Sequence, residues 1–156
     1  MQESILAICA AHLRPHGVAY VSYNTYPGGR LREITREMMT FHTRGVTDPR
    51  EKIARAREIV HFVGGAQRGD DAYAMFQHAQ DERISGLADA SIFHDYLADV
   101  NTPVYFHHFM HHAAGHGLHY LAEADFFEMR EHGYPPSVAE ALNDLGTHDL
   151  IAKEQY

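Results

Sequence analysis

Apolar residues recur at helical spacing along most of the chain, and turn residues separate the segments. Apolar positions three or four residues apart predict helices, because they fall on one face of an α-helix. Capping signals predict two of the helix starts: Asp48 followed by Pro49, and Ser137 followed by Glu140. The predicted helices cover residues 4–13, 30–44, 48–63, 71–84, 91–100, 103 to about 115, and 137–145. Within the second of them, the apolar stripe consists of Leu31, Ile34, Met38 and Phe41.

Two short segments have the composition of strands. Residues 18–23 are β-branched and aromatic, and they are almost continuously apolar, which predicts a strand buried on both faces of a parallel sheet. Residues 118–124 alternate imperfectly and form the second strand candidate. A buried strand needs hydrogen-bonding partners, so either these two segments pair or the rest of the sheet lies outside this sequence. The pattern predicts a mainly α chain with a small β component, either α+β or an incomplete α/β sheet.

Composition and charge exclude several classes of protein. With 45% hydrophobic and 22% charged residues, the 156-residue chain is globular in character. Residues 1–69 hold ten basic and six acidic residues, whereas residues 70–156 hold three basic and fifteen acidic ones. The formal net charge of −8 argues against a nucleic-acid partner, because phosphate binding needs clustered Lys and Arg. We interpret the basic stretch 30–57 as a solvated helix face or a docking surface for an acidic partner.

Cysteine content and the apolar run near the start bear on the compartment. Cys9 is the single cysteine, so no intrachain disulfide can form, which favours a reducing compartment. The apolar run 5–11 is too short to cross a bilayer and lacks the basic flank of a signal peptide. We therefore expect a cytoplasmic protein without a membrane partner.

Four segments resemble known families. Residues 13–28, LRPHGVAYVSYNTYPG, resemble the late part of a class I S-adenosylmethionine-dependent methyltransferase core, namely a helix, a turn and the fifth strand of the sheet. The segments VNTPVYFH (100–107), HGLHYLAEA (116–124) and DLIAKEQY (149–156) resemble the predicted methyltransferase regulatory domain family, which follows such a core in bacterial methyltransferases. His16 departs from the pattern where the turn usually has a second glycine, and Gly29 departs where an aromatic residue is common.

The resemblance implies a domain division and a cofactor. Residues 1–29 would be the end of the methyltransferase core, and residues 30–156 a mainly helical regulatory domain with a strand near 118–124. S-adenosylmethionine would be the cofactor of the full-length enzyme. Because no G-x-G-x-G loop follows a strand in this sequence, we expect no cofactor on this chain alone and no methyltransferase activity from it. Both ends look like cuts through a longer protein, so the expected partners are an upstream methyltransferase core and an unknown methyl acceptor, with a homo-oligomer as a further candidate.

The loop after the first predicted strand is the candidate substrate-side site. It leaves the carboxyl end of a strand, which is where ligands bind in open α/β sheets. Asn24 offers a donor and an acceptor, and the tyrosines offer phenols and flat apolar walls, so we expect one wall of the methyl-acceptor site. The alternative is a turn in which Asn24 bonds its own backbone. No catalytic base is predicted. The candidate residues are Tyr23, Asn24, Tyr26, Pro27 and Gly28.

Histidine is unusually frequent, with 14 residues against 13 Lys and Arg together. On a helix, His108, His112 and His116 would form one ridge at the spacing that zinc sites use. No carboxylate of the HExxH kind and no cysteine accompanies them, so we expect no physiological metal and only adventitious zinc or nickel. The histidines are then one polar face of a helix, with a pH sensor as a third interpretation.

The predicted function is the regulatory and substrate-side part of an S-adenosylmethionine-dependent methyltransferase. One alternative is a stand-alone helical interaction module, whose basic and acidic regions dock to a partner or to another copy of the chain. The other alternative is a metal-binding helical protein that uses the histidines.

Overall fold

The structure is a computed structural model that describes residues 2–129 and 133–156. It confirms a mainly α chain with a small β component. In chain order the elements are α1 (Gln2–His12), β1 (Thr25–Tyr26), α2 (Gly29–His42), α3 (Pro49–Ala66), α4 (Ala72–Gly86), α5 (Asp89–Ile92), a π-helical turn (Phe93–Leu97), β2 (Val104–Tyr105), α6 (Phe106–Gly115), a 3-10 turn (Phe126–Met129), α7 (Pro136–His148) and α8 (Leu150–Gln155).

The chain folds as two compact units. Unit 1 combines Met1–Tyr26 with Pro103–Tyr156, and unit 2 is the intervening stretch Pro27–Thr102. Unit 1 therefore brings together the two ends of the chain, whereas unit 2 is continuous in sequence. The proposed family boundary at residue 29 is a different division and stays a prediction.

Unit 2 is built from helices that bury one face each. Helix α3 begins where the sequence predicts, because the Asp48 side chain accepts from the Glu51 amide at 2.8 Å and Pro49 occupies the first turn. Ile53, Ala56 and Val60 of α3 are buried. The core of the unit consists of Met39, Ile53, Ala56, Val60, Ile84, Ile92, Tyr96 and Leu97.

Two arginines satisfy carbonyl groups at helix ends in unit 2. The guanidinium of Arg57, on α3, donates to the carbonyl oxygens of Ile84 and Leu87, where α4 ends. Arg36, on α2, donates in the same way to two carbonyls at the end of the π-helical turn. The last carbonyls of a helix have no partner within it, so these contacts replace water at partly buried positions.

Of the apolar stripe predicted for α2, only Met38 packs against the core, and it is partly buried. Thr35 and Met39 are the buried residues of this helix, whereas Leu31, Ile34 and Phe41 are exposed. The buried face of α2 is therefore rotated from the stripe. Apolar spacing alone did not identify the face that packs against the core. The second capping prediction is also displaced, because α7 begins at Pro136 rather than at Ser137.

The first strand prediction, residues 18–23, is wrong in position. These residues form no strand, and Val18 and Tyr20 are 68% and 77% exposed, so the segment is not buried on both faces. Strand structure begins only at β1, which lies parallel to β2 with Thr25 opposite Val104. Within residues 2–129 and 133–156, β2 is the strand that β1 pairs with, and it is two residues long. An apolar composition by itself cannot lengthen a strand beyond the partner strand that pairs with it.

The second strand prediction, residues 118–124, is also wrong. The segment begins by completing the end of α6: Gly117 has a φ of +73°, and the Leu118 amide donates to the Ala113 carbonyl at 3.1 Å. This glycine-mediated cap takes up the first amide of the segment. The partner of β1 is instead Val104–Tyr105, which the sequence predicted as the start of a helix.

The turn after α1 shows what the departure at His16 does to the backbone. His16 has a φ of +63°, a left-handed conformation that glycine adopts more readily. Gly17 is required for a different reason, because a Cβ atom there would come within 2.9 Å of the Arg14 carbonyl oxygen. The turn thus holds a histidine in a conformation suited to glycine.

None of the described helices combines the length and the apolar character that crossing a bilayer requires.

The core of unit 2 yields a stability prediction. Ile84 is buried in the core, so Ile84→Ala should lower the free energy of unfolding by about 2–5 kcal/mol, through lost burial and the cavity left behind. Ile34, on α2 of the same unit, is exposed, and Ile34→Ala should change that free energy by less than about 0.5 kcal/mol. Urea unfolding followed by circular dichroism measures both. Equal losses in the two variants would contradict the assignment of the core.

Candidate functional site

The candidate site in unit 1 is organised by the pairing of β1 with β2. The Val104 amide donates to the Asn24 carbonyl oxygen at 3.1 Å, and the register places Tyr26 opposite Tyr105. The rings of these two tyrosines lie 5.4 Å apart. Asn24 and Tyr26 are therefore at a strand pair rather than in an open loop, and the Asn24 carbonyl is used for pairing.

Tyr23 is half-buried against the apolar cluster of unit 1. Its ring contacts Phe109 of α6 with centroids 4.2 Å apart, and it packs against the buried cluster that includes Leu6 and Ala113. Burial raises the pKa of the Tyr23 phenol to about 12, and the nearby charge of Glu123 adds to the shift. Tyr23 is consequently protonated throughout the neutral range.

A second phenol, that of Tyr120, has a similar environment. Its hydroxyl donates to Glu123 Oε1 at 3.0 Å, and its ring meets the ring of Phe106 edge to face at 5.0 Å. Burial, followed by the hydrogen bond to Glu123, holds the pKa of Tyr120 above its ordinary value, and charge repulsion from Glu154 contributes. Unit 1 thus holds two neutral phenols near carboxylates.

Gln155, near the chain end, connects three elements of unit 1. Its Nε2 donates to the Tyr26 carbonyl oxygen at 3.0 Å, and its Oε1 accepts from the His107 amide at 3.2 Å. The Nδ1 atom of His107 lies 2.8 Å from the same Oε1. One side chain of α8 therefore binds both β1 and the first turn of α6.

The remaining two predicted residues belong to unit 2. Pro27 accepts from the Arg30 amide at 3.0 Å, and Gly28 is the residue before the first turn of α2. Both are exposed. Of the five predicted residues, Tyr23, Asn24 and Tyr26 lie in unit 1, and Pro27 and Gly28 serve as the start of a helix in unit 2.

The predicted histidine ridge is only partly assembled. His112 and His116 both approach the carboxylate of Glu3, on α1, with distances of 2.5 Å from His112 Nε2 to Glu3 Oε2 and 3.2 Å from His116 Nε2 to Glu3 Oε1. Hydrogen bonds from the two imidazoles hold the pKa of Glu3 below its ordinary value. His108 instead lies against the rings of Tyr105 and His107.

Sequence reasoning missed four residues of these clusters. Tyr105, Tyr120 and Gln155 lie inside segments that carry the family resemblance, so that resemblance could have pointed to them. Glu3 had no local signal, since 109 residues separate it from His112. The sequence has no carboxylate of the HExxH kind beside these histidines, and the one that reaches them comes from the other end of the chain.

Comparison with known proteins finds a family similarity in the last part of the chain, across residues of both units. The family model of the predicted methyltransferase regulatory domain matches residues 88–156. The match includes β2, α6, α7 and α8, and thus Tyr105, Tyr120 and Gln155 of the candidate site.

Two curated relatives extend the similarity beyond the regulatory domain. The uncharacterized protein RP789 of Rickettsia prowazekii is 32% identical over 157 aligned positions, which cover 100% of this chain and 28% of RP789. The uncharacterized protein RP028 of the same organism is 33% identical over 111 positions, which cover 70% of this chain and 44% of RP028. The chain therefore spans less than half the length of either relative.

Solved structures show the same relation. The structure of PKMT2 from Rickettsia typhi matches 99% of this chain and 29% of its own length, with 33% identity and a TM-score of 0.83. PKMT2 in complex with AdoHcy matches 99% of this chain and 30% of its own length, with 33% identity and a TM-score of 0.85. The residues matched by the family model and the residues before them are thus both similar to part of the PKMT2 structure.

The raised pKa of Tyr23 predicts a pH dependence of stability. The unfolded phenol loses its proton near its ordinary pKa of about 10, while the folded one keeps it until about 12. Protonated Tyr23 therefore contributes stability below pH 10, and this contribution is lost as the pH rises toward 12. We expect the free energy of unfolding to fall over that interval, and to fall less in Tyr23→Phe.

The matched control is Tyr20→Phe, which removes a tyrosine that is 77% exposed. Its pH dependence should equal that of the parent chain. Denaturant unfolding at a series of pH values between roughly 9 and 12, an interval that includes both pKa values, measures the free energy of unfolding. If the free energy of unfolding of Tyr23→Phe fell with pH as steeply as that of the parent chain, the burial of this phenol would be contradicted.

Proposed function

We propose that this chain forms the methyl-acceptor side and the regulatory part of an S-adenosylmethionine-dependent methyltransferase. The observation that carries the proposal is the match of 99% of the chain to PKMT2 in complex with AdoHcy. AdoHcy is the product that S-adenosylmethionine becomes when it gives up its methyl group. The regulatory domain over residues 88–156 supports the same conclusion.

The described residues do not fit the methyl donor by themselves. Class I methyltransferases hold the donor with a Gly-rich loop after one strand and an acidic residue at the end of the next. Here β2 leads directly into Phe106 of α6, and neither of the strands in the described ranges is followed by G-x-G-x-G. The donor would therefore be held by an upstream methyltransferase core, and this chain would be inactive alone.

The surroundings of Tyr23, Asn24 and Tyr26 support a role on the acceptor side. Methyl transfer depends mainly on alignment of donor and acceptor, so rigid walls matter more than a strong base. Tyr23 is held by Phe109, and Tyr26 is held by the strand register and by Gln155. Aromatic rings held in this way exclude water and fix the orientation of a bound group. No residue is assigned as a base.

Calorimetry separates the donor role from the acceptor role. S-adenosylmethionine titrated into the 156-residue chain should give no binding heat, whereas a longer gene product that contains this chain should bind it. In that longer protein, Tyr26→Ala should lower kcat/KM for methyl transfer roughly tenfold, the effect of losing about 1.4 kcal/mol of positioning, and leave AdoHcy affinity unchanged. Tyr20→Ala, at an exposed tyrosine of the same segment, is the control.

Three outcomes would contradict the proposal. Tight binding of S-adenosylmethionine to the chain alone would place the donor site within these residues. Loss of AdoHcy affinity in Tyr26→Ala would move this residue to the donor side. Equal effects of Tyr26→Ala and Tyr20→Ala would remove the candidate site from the reaction.

A second candidate function, an interaction module, is favoured by the exposed face of α2. Leu31, Ile34 and Phe41 are 57%, 46% and 67% exposed, and their spacing places them on one face of the helix. Contiguous exposed apolar surface marks contact sites in soluble proteins. The partner proposed for this face is a second copy of the chain.

Sedimentation velocity over a range of protein concentrations tests the second candidate. Phe41→Ser should shift the chain toward the monomer, while Phe127→Ser, at a phenylalanine of similar exposure in unit 1, should not. An apolar contact should persist as salt is added, whereas a contact between basic and acidic regions should weaken through screening. A chain that is monomeric at every concentration would refute self-association.

A further inference from the structure

Glu3, His112 and His116 form a cluster of ligand atoms outside the candidate acceptor site. One oxygen or nitrogen atom from each residue lies within 4.8 Å of the others. The carboxylate faces both imidazoles: Oε2 is 2.5 Å from His112 Nε2, and Oε1 is 3.2 Å from His116 Nε2. The two imidazole rings are 5.6 Å apart. Three donor atoms therefore already point at one small region.

The fold of unit 1 holds this cluster in register. His112 and His116 are one helical turn apart at the end of α6, so their rings project from the same face. Glu3 lies in the first turn of α1, and Leu6, one turn later, is buried against Phe109 and Ala113 of α6. Because these apolar contacts fix α1 against α6, the carboxylate is presented to the imidazoles before any ion arrives.

The donor set and its accessibility fit a transition metal. Two imidazole nitrogens and one carboxylate oxygen form a ligand set found in zinc sites that keep one position for water. Imidazole selects zinc, copper, iron or nickel over magnesium and calcium. The side chains of His116, His112 and Glu3 are 19%, 37% and 70% exposed, so an ion and its water can reach the cluster from solvent.

We propose that Glu3, His112 and His116 bind one divalent transition-metal ion, with zinc as the natural occupant by ligand type and water at the remaining position. The inference does not rest on the proposed methyl transfer, because it uses α1 and the end of α6 rather than Tyr23, Asn24 or Tyr26. The proposed site uses two of the three histidines of the predicted ridge. Its carboxylate comes from Glu3, which is distant from them in the sequence.

Calorimetric titration of zinc into the untagged chain, after treatment with a chelator and its removal, tests the proposal. The first equivalent of zinc should bind with higher affinity than any zinc added after it. His112→Ala and His116→Ala should each weaken that equivalent by more than about 10-fold, since loss of a direct ligand should exceed the loss of an outer-shell partner. His108→Ala is the matched control: it removes an exposed histidine of the same helix that lies against Tyr105 and His107, and it should leave the affinity unchanged.

A spectroscopic measurement keeps the test valid if a histidine variant folds poorly. Cobalt in place of zinc should give visible ligand-field bands at one equivalent, and Glu3→Gln, at an exposed side chain, should shift or abolish them while circular dichroism stays unchanged. The proposal is overturned if wild type shows no distinct equivalent, if His108→Ala weakens zinc as much as His112→Ala does, or if Glu3→Gln leaves the cobalt bands unaltered.

Discussion

The parallel pairing of β1 with β2 is the contact on which the rest of unit 1 depends. Each strand is two residues long, and Pro27–Thr102 lies between them in the sequence. Parallel strands always need such a crossover, and here the crossover is the whole of unit 2. The pairing fixes the register in which Tyr26 meets Tyr105. It also fixes the position of the neighbouring segment, in which Tyr23 contacts Phe109. Without it, Tyr26 and Tyr105 would not be held opposite each other.

Short helices in this chain are held as much by polar contacts as by apolar burial. Helix α8 has no buried residue, yet Gln155 binds the Tyr26 carbonyl across 129 positions of sequence. In unit 2, Arg36 and Arg57 satisfy carbonyls at the ends of other elements. A six-residue helix is marginal in water, so contacts of this kind decide where it lies. The same principle joins Glu3 to α6, although Leu6 also contributes apolar packing there.

Helix α6 links the two chemical features of unit 1. Its buried side, Phe109 and Ala113, packs against Tyr23 and Leu6, and its last turn carries His112 and His116 beside Glu3. The proposed acceptor wall and the proposed metal ligands therefore share one helix, which lies within the segment that matches the regulatory-domain family model.

Local signals in the sequence were sufficient for most helices, because caps and apolar spacing act within a few residues. Asp48 shows this: the sequence predicts its capping role, and its side chain accepts from Glu51. The segments that resemble the family also indicated the regulatory domain, because a sequence resemblance can be recognised without knowing which residues are in contact. Strand positions could not be predicted, because a strand exists only where a partner supplies hydrogen bonds, and residues 18–23 form no strand.

The sequence by itself determined the helical class, the cap at Asp48 and the similarity to the regulatory family. Tertiary structure alone decided that β1 pairs with β2, that α2 buries Thr35 and Met39 while most of its apolar stripe is exposed, and that Glu3 meets His112 and His116. The physical reason is the range of each interaction. Caps and helical periodicity connect neighbours in sequence, whereas ladders, core faces and ligand clusters connect residues that only folding brings within a few ångströms of one another.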